Sequence, residues 1–186
     1  CGTMPDTLAL WLECRFPGRH DRTCARARAA RWMAEDTGHM IANILTVCTG
    51  NICRSPVAEA ALRMAFPDLS VGSAGLHALV GRDADPDSAA AAAQHGIEMR
   101  PHAARQFDET LGRTADVILV METHHRQEIA ARWPQFLGKT FLLGHFDSGR
   151  EVPDPYRQPL GMHLQAVEVI AGCCRSWQTR IGQMQG

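Results

Sequence analysis

The stretch Ile44-Leu45-Thr46-Val47-Cys48-Thr49-Gly50-Asn51-Ile52-Cys53-Arg54-Ser55-Pro56 is an apolar run that ends in a cysteine and a short polar loop. The run before Cys48 reads as a buried strand, and Pro56 followed by Val57-Ala58-Glu59-Ala60-Ala61-Leu62 reads as a helix with proline in its first turn. A loop in that position can curl the N–H groups of residues 49–55 round one point, an anion nest reinforced by the positive end of the helix. Arg54 closes the loop. Its planar fork can take two oxygens of a phosphate-like group and leave the rest to the backbone, with the Cys48 sulfur beneath the phosphorus. The arrangement is a nucleophile aimed at a phosphate.

Donors that hold a dianion also stabilise S⁻, so the sequence predicts a reactive thiolate at Cys48. A buried structural cysteine at a strand end is the ordinary alternative, but it does not require Gly50, Asn51, Arg54 and Ser55 at these offsets. Downstream the pattern alternates strand and helix. Strands are expected at about 43–47, 69–74, 117–121 and 140–143. Helices are expected at 56–66, from Pro86 (capped by Asp85) to His95-Gly96, near 107–113, from a Thr123 cap to Trp133-Pro134, and from Leu160 onward. Val117-Ile118-Leu119-Val120-Met121 is apolar throughout, as in a parallel strand buried on both faces. Repeated βα units imply one α/β domain, a parallel sheet with helices on both faces and ligands beyond the carboxyl ends of the strands.

A phosphate ester of a phenol needs a proton for its leaving oxygen, and the last loop offers Asp147, Glu151 and Asp154. Asp154 is preferred because Pro153 and Pro155 restrict its backbone and Tyr156 follows. Asp147, in Asp147-Ser148-Gly149, reads as a turn.

These motifs resemble the low-molecular-weight protein tyrosine phosphatases. The resemblance runs from the Cys48 loop through Ser73-Ala74-Gly75, Ala115-Asp116-Val117-Ile118-Leu119-Val120-Met121 and Asp154-Pro155-Tyr156, covering about residues 41–183. It implies four parallel strands in the order 2-1-3-4, and hydrolysis of phosphotyrosine through a cysteinyl-phosphate intermediate without a metal or cofactor. Cys48 would be the nucleophile, Arg54 the phosphate ligand and Asp154 the general acid. Thr49, Gly50, Asn51, Ile52, Cys53 and Ser55 would form the phosphate-binding loop, with Ser55 aiding the thiolate, and Tyr156 would wall a slot for the aromatic ring. The family also suggests a reversible Cys48–Cys53 disulfide.

Ser73-Ala74-Gly75-Leu76-His77-Ala78-Leu79-Val80-Gly81 and Asp154-Pro155-Tyr156-Arg157-Gln158 look like the bacterial branch paired with tyrosine autokinases of exopolysaccharide or capsule export. A rim over residues 76–80, with Leu76 touching substrate, would suit phosphotyrosines on a flexible kinase tail. Arsenate reductases and protein arginine phosphatases share the fold. No cysteine lies between Cys53 and Cys173 to pass electrons, and Ile52 stands where arginine phosphatases tend to carry threonine. A non-catalytic phosphate-binding module would need neither Cys48 nor Asp154.

The chain has 186 residues, 45% of them hydrophobic, and a formal charge of −1, which gives no reason to expect nucleic-acid binding. No apolar run approaches the length of a membrane span. The seven cysteines lack zinc-ligand spacing, and the nine histidines are expected on the surface or at caps. A working thiol points to a reducing cytoplasm, and a monomer is expected. Residues 1–39, arginine-rich and without a clear strand, are expected to be a disordered or non-native extension, with the phosphatase domain at 40–186.

Overall fold

The computed structural model describes residues 41–185, and the expected extension over residues 1–39 lies outside them. Strands β1 (Asn43–Cys48), β2 (Ser70–Gly75), β3 (Val117–Val120) and β4 (Thr140–Leu142) form one parallel sheet in the order β2-β1-β3-β4. Between them run α1 (Arg54–Ala65), α2 (Pro86–Gln94), α3 (Glu109–Thr114), α4 (Thr123–Arg132) and a 3₁₀ turn at Pro134–Lys139; α5 (Leu160–Gln185) ends the described chain.

Both central strands are buried on two sides, which is why their sequences are continuously apolar. Leu45 and Val47 of β1 and Ile118 and Val120 of β3 join Phe107, Ala115, Ile129 and Phe136 in one cluster, putting α3, α4 and the 3₁₀ turn on that face. The alternate residues Ile44, Thr46, Val117 and Leu119 turn to the other face. There the Thr46 hydroxyl donates to Ser55 O at the start of α1 at 2.9 Å, and α1 and α2 pack on α5. The periodic residues Val167, Ile170, Cys174, Trp177 and Ile181 of α5 are all buried.

Two helix starts differ from the sequence expectation. Helix α1 begins at Arg54, two residues before the proline turn, because the anion loop runs straight into helical backbone. The cap of α4 is Glu122, not Thr123. Glu122 is extended (φ −142°), its backbone carbonyl accepts from the N–H of His125 at 3.2 Å, and its own N–H donates to His125 Nδ1 at 3.2 Å; Thr123 is already helical. As expected, Asp85 caps α2, accepting from Asp87 N and Ser88 N.

The carboxyl ends of β1, β2 and β3 meet at one edge, and Gly75 makes the junction possible. A Cβ there would lie 2.5 Å from Thr49 O, 3.0 Å from Asn51 N and 3.1 Å from the Ala78 Cα, all backbone atoms that cannot swing aside. Gly75→Ala is therefore expected to cost about 1–3 kcal/mol of stability and to push the 49–51 backbone out of place. Denaturant titration and phosphate binding, measured side by side, should both weaken; wild-type values in both would show that the contact is slack.

Candidate active site

Five successive carbonyls of the loop after β1 are held away from its centre. Cys48 O accepts from Leu76 N (3.0 Å), Thr49 O from His77 N (2.9 Å), Gly50 O from Leu79 N (3.0 Å), Asn51 O from His102 Nε2 (2.7 Å) and Ile52 O from Asp85 N (2.8 Å). In a planar trans peptide the carbonyl and the following N–H point in opposite directions, so this turns the N–H groups of residues 49–53 towards the inside of the loop. Asn51 N, 3.3 Å from Cys48 Sγ, is one of them.

The turn needs a left-handed residue, and Asn51 supplies it at φ +56°, a conformation asparagine tolerates better than most. Its buried side chain is fully used. Oδ1 accepts from Arg105 N (2.8 Å), and Nδ2 donates to Ser55 Oγ (3.0 Å) and Ser73 Oγ (2.9 Å). Ser55 Oγ accepts from Asn51 and has one proton to give, with Cys48 Sγ at 3.0 Å and Ala74 O at 3.4 Å in reach; a thiolate can only accept, so with Cys48 ionised the hydroxyl donates to sulfur. Cys48 is 3% exposed, at the floor of a cleft of about 170 Å³.

Arg54 is 2% exposed, and its charge is compensated on both sides. Nη1 pairs with Glu122 and donates to Val152 O at 3.0 Å, while Nη2 lies 3.1 Å from Asp154 Oδ2. Of the three loop carboxylates, Asp154 alone lines the cleft. Glu151 accepts from Thr123 N at 2.7 Å, a bond that with the Thr123 side chain draws its carboxyl below the usual range, and Asp147 accepts from Ser176 Oγ at 2.8 Å. The loop is pinned to the end of β3 by Val152 N donating to Met121 O (2.9 Å), and Asp154 Oδ1 accepts from Tyr156 N at 3.2 Å.

The cleft gathers Cys48, Thr49, Gly50, Ile52, Cys53, Arg54, Asp154 and Tyr156, with Asn51 and Ser55 beneath it. Leu76 is not among its walls. It is 1% exposed in the sheet's core cluster, because the residue after β2 still follows the strand's inward alternation; His77 and Leu79 take the rim instead. His163, being buried, departs from the expectation of surface or cap positions, and His125 meets it as part of the α4 cap while being buried as well. His125 Nε2 lies 2.9 Å from Thr49 Oγ1, so an unassigned residue touches the anion loop. Its position just beyond the apolar β3 run, at the ligand-binding edge of a parallel sheet, is the signal that marks it.

Among the described residues two groups bring metal-ligating atoms within 4.8 Å of one another, Glu122/His124/His125 and Asp85/Asp87/His163. In the first, Glu122 is committed to Arg54 and both ring nitrogens of His125 are engaged; in the second, Asp85 caps α2 and His163 Nδ1 is 2.8 Å from Ser88 Oγ. These are hydrogen-bonded networks rather than open donor sets.

Burial above all raises the thiols of Cys53 and Cys173 to about 12 each, and raises Cys174 as well. Burial, followed by the charges of His124, Arg54 and His77, lowers His125 from an ordinary 6.5 to about 3. A raised thiol gives stability that is intact below its unfolded value of about 9 and lost as pH climbs towards 12. The depressed imidazole gives stability present above 6.5 and lost as pH falls towards 3. The thermal midpoint is expected to be highest between those limits and to drop on both sides; a flat profile from acid to alkali would contradict this burial.

Residues 43–185 match the family model described as low molecular weight phosphotyrosine protein phosphatase. The chain is 42% identical over 147 residues to the low molecular weight protein-tyrosine-phosphatase Wzb of Salmonella typhimurium, covering 79% of this chain and 99% of that protein. The crystal structure of the tyrosine phosphatase Wzb from Escherichia coli K30 in complex with sulphate superposes with a TM-score of 0.75 at 36% identity, over 77% of this chain and 100% of that one. The YwlE arginine phosphatase from Geobacillus stearothermophilus gives a TM-score of 0.72 at 31% identity, over 77% of this chain and 95% of its own.

Proposed function

This chain belongs to the low molecular weight phosphotyrosine protein phosphatase family and is a protein-tyrosine-phosphatase, and from that premise we propose which residues carry the reaction and on whom it acts. Cys48 Sγ attacks phosphorus as the thiolate, the Sγ–P bond forms and the bond to the phenolic oxygen breaks. Asp154, protonated, gives that oxygen its proton. Asp154, now a carboxylate, takes a proton from the water that hydrolyses the cysteinyl phosphate, which returns the sulfur and releases inorganic phosphate. The inward amides and the Arg54 fork meet the equatorial oxygens throughout. Glu122 and Val152 O fix the guanidinium before any substrate arrives, so little reorganisation is left for the transition state. Ile52, Leu79 and Tyr156, the last 40% exposed, supply apolar walls for a phenyl ring.

The observation that carries this reading is that nucleophile, guanidinium and carboxylic acid, drawn from two distant loops, line one cleft. Cys48→Ser is expected to abolish turnover of an aryl phosphate while oxyanion binding persists. Asp154→Asn is expected to slow esters of poorly acidic phenols by about 10²–10⁴-fold and activated ones far less. A leaving-group series on the two variants checks both; an Asp154→Asn loss independent of the leaving group would remove that residue from the acid role.

The physiological substrate is a tyrosine autokinase of exopolysaccharide synthesis or export, met in the cytoplasm. Support comes from the stretches at 73–81 and 154–158, from the solvent-facing Leu79 and Val80 beside the cleft, and from four free thiols among the described residues, which suit a reducing compartment. The apolar Ile52 wall favours a phenyl ring over the guanidinium of phosphoarginine, the substrate that the shared fold alone would also admit. Turnover of a phosphorylated autokinase tail is expected to exceed that of unrelated phosphotyrosine, phosphoserine and phosphoarginine peptides. Equal rates would remove the kinase assignment, and a preference for phosphoarginine would replace it.

A further inference from the structure

The first turn of α4 holds both ends of the anion loop. Glu122 grips Arg54 Nη1 at the loop's end, and His125 reaches Thr49, the residue after the nucleophile. The polarity of the second contact can be worked out. His125 Nδ1 lies 3.2 Å from Glu122 N, a group that can only donate, so Nδ1 accepts. The ring is 1% exposed and held neutral by burial and neighbouring positive groups, so its single proton sits on Nε2. Nε2–H therefore donates to Thr49 Oγ1 at 2.9 Å. A threonine hydroxyl that has accepted one bond still has its own proton to give. Among the described residues the His125 bond is the one this hydroxyl makes, and Thr49 lines the cleft beside Cys48.

We propose that His125 is a positioning residue of the phosphatase reaction: by donating to Thr49 Oγ1 it fixes the Thr49 hydroxyl as an additional donor to an oxygen of the bound phosphate ester. This rests on the reading that the Cys48 cleft hydrolyses phosphotyrosine. The chemistry is that of a hydroxyl rotor stopped by filling one lone pair, which leaves its proton preset for an anion and adds a charge-assisted bond at the start of the loop. Helix capping and loop positioning thus use different atoms of one ring, Nδ1 for the cap and Nε2 for the loop.

That division of labour makes the two separable. In His125→Asn the amide oxygen can occupy the place of Nδ1 and keep the cap, but nothing reaches Thr49; in His125→Gln the amide nitrogen can stand near Nε2 and donate as the ring does. With an aryl phosphate as substrate and inorganic phosphate as competitive inhibitor, His125→Asn is expected to lower kcat/KM and raise the phosphate Ki, each roughly 5–20-fold, with His125→Gln restoring most of both. Thr49→Val is expected to show the same loss, and adding His125→Asn to it no further loss. Nitrogen NMR of wild type should show the neutral ring protonated on Nε2. A His125→Asn enzyme equal to wild type, a full His125→Asn loss persisting in the Thr49→Val background, or a ring protonated on Nδ1 would each overturn the proposal. Wild-type turnover that disappears in Cys48→Ser keeps the reaction itself apart from this test; wild type without turnover would defeat the phosphatase reading, and the tautomer would still judge the hydrogen bond.

Discussion

The rest of the site depends on the outward tethering of five successive loop carbonyls. A loop of small and polar residues has many ways to fold, and most would leave its amides turned to water. Here each carbonyl from Cys48 to Ile52 has a fixed donor outside the loop, and planarity of the peptide does the rest. The donors come from residues 76, 77, 79, 85 and 102, so the cradle for an anion is built by the segments that follow β2 as much as by the loop itself. An oxyanion then finds donors already in position, and the entropy of arranging them is spent during folding rather than catalysis.

Concentrating donors carries a risk, because a buried guanidinium without partners is strongly destabilising. Arg54 is stabilised by Glu122, by Val152 O and by Asp154, three acceptors from two elements that share no sequence neighbourhood with the loop. The same pairings fix the carboxyl ends of β1 and β3 and the acid loop relative to one another. A single charge thus organises the ground-state structure, and in the proposed mechanism the more exposed Asp154 exchanges Arg54 for a substrate oxygen.

The strands, the helices and the loop chemistry were legible in the sequence because each is written in short-range pattern: apolar runs buried on two faces, Asp85-Pro86 at a helix start, cysteine and arginine bracketing a glycine-asparagine turn; the strand order came from the family resemblance. Less legible were features set by neighbours far along the chain. Leu76 looked like rim, but strand alternation carries it one residue further into the core. Thr123 had the chemistry of a cap, yet Glu122 takes the place, its N–H held by the His125 ring and its carboxylate paired with Arg54.

The linear order of residues determined a parallel α/β sheet and an anion loop armed with Cys48 and Arg54, since both arise from local backbone preference and side-chain chemistry. The sequence already preferred Asp154 to Asp147 and Glu151, but only tertiary structure brought it into one cleft with Cys48 and brought His125 to Thr49. Those pairings span about 76 to 106 residues of chain, and no periodicity encodes a contact whose partners meet only after the sheet has brought the strand ends to one edge.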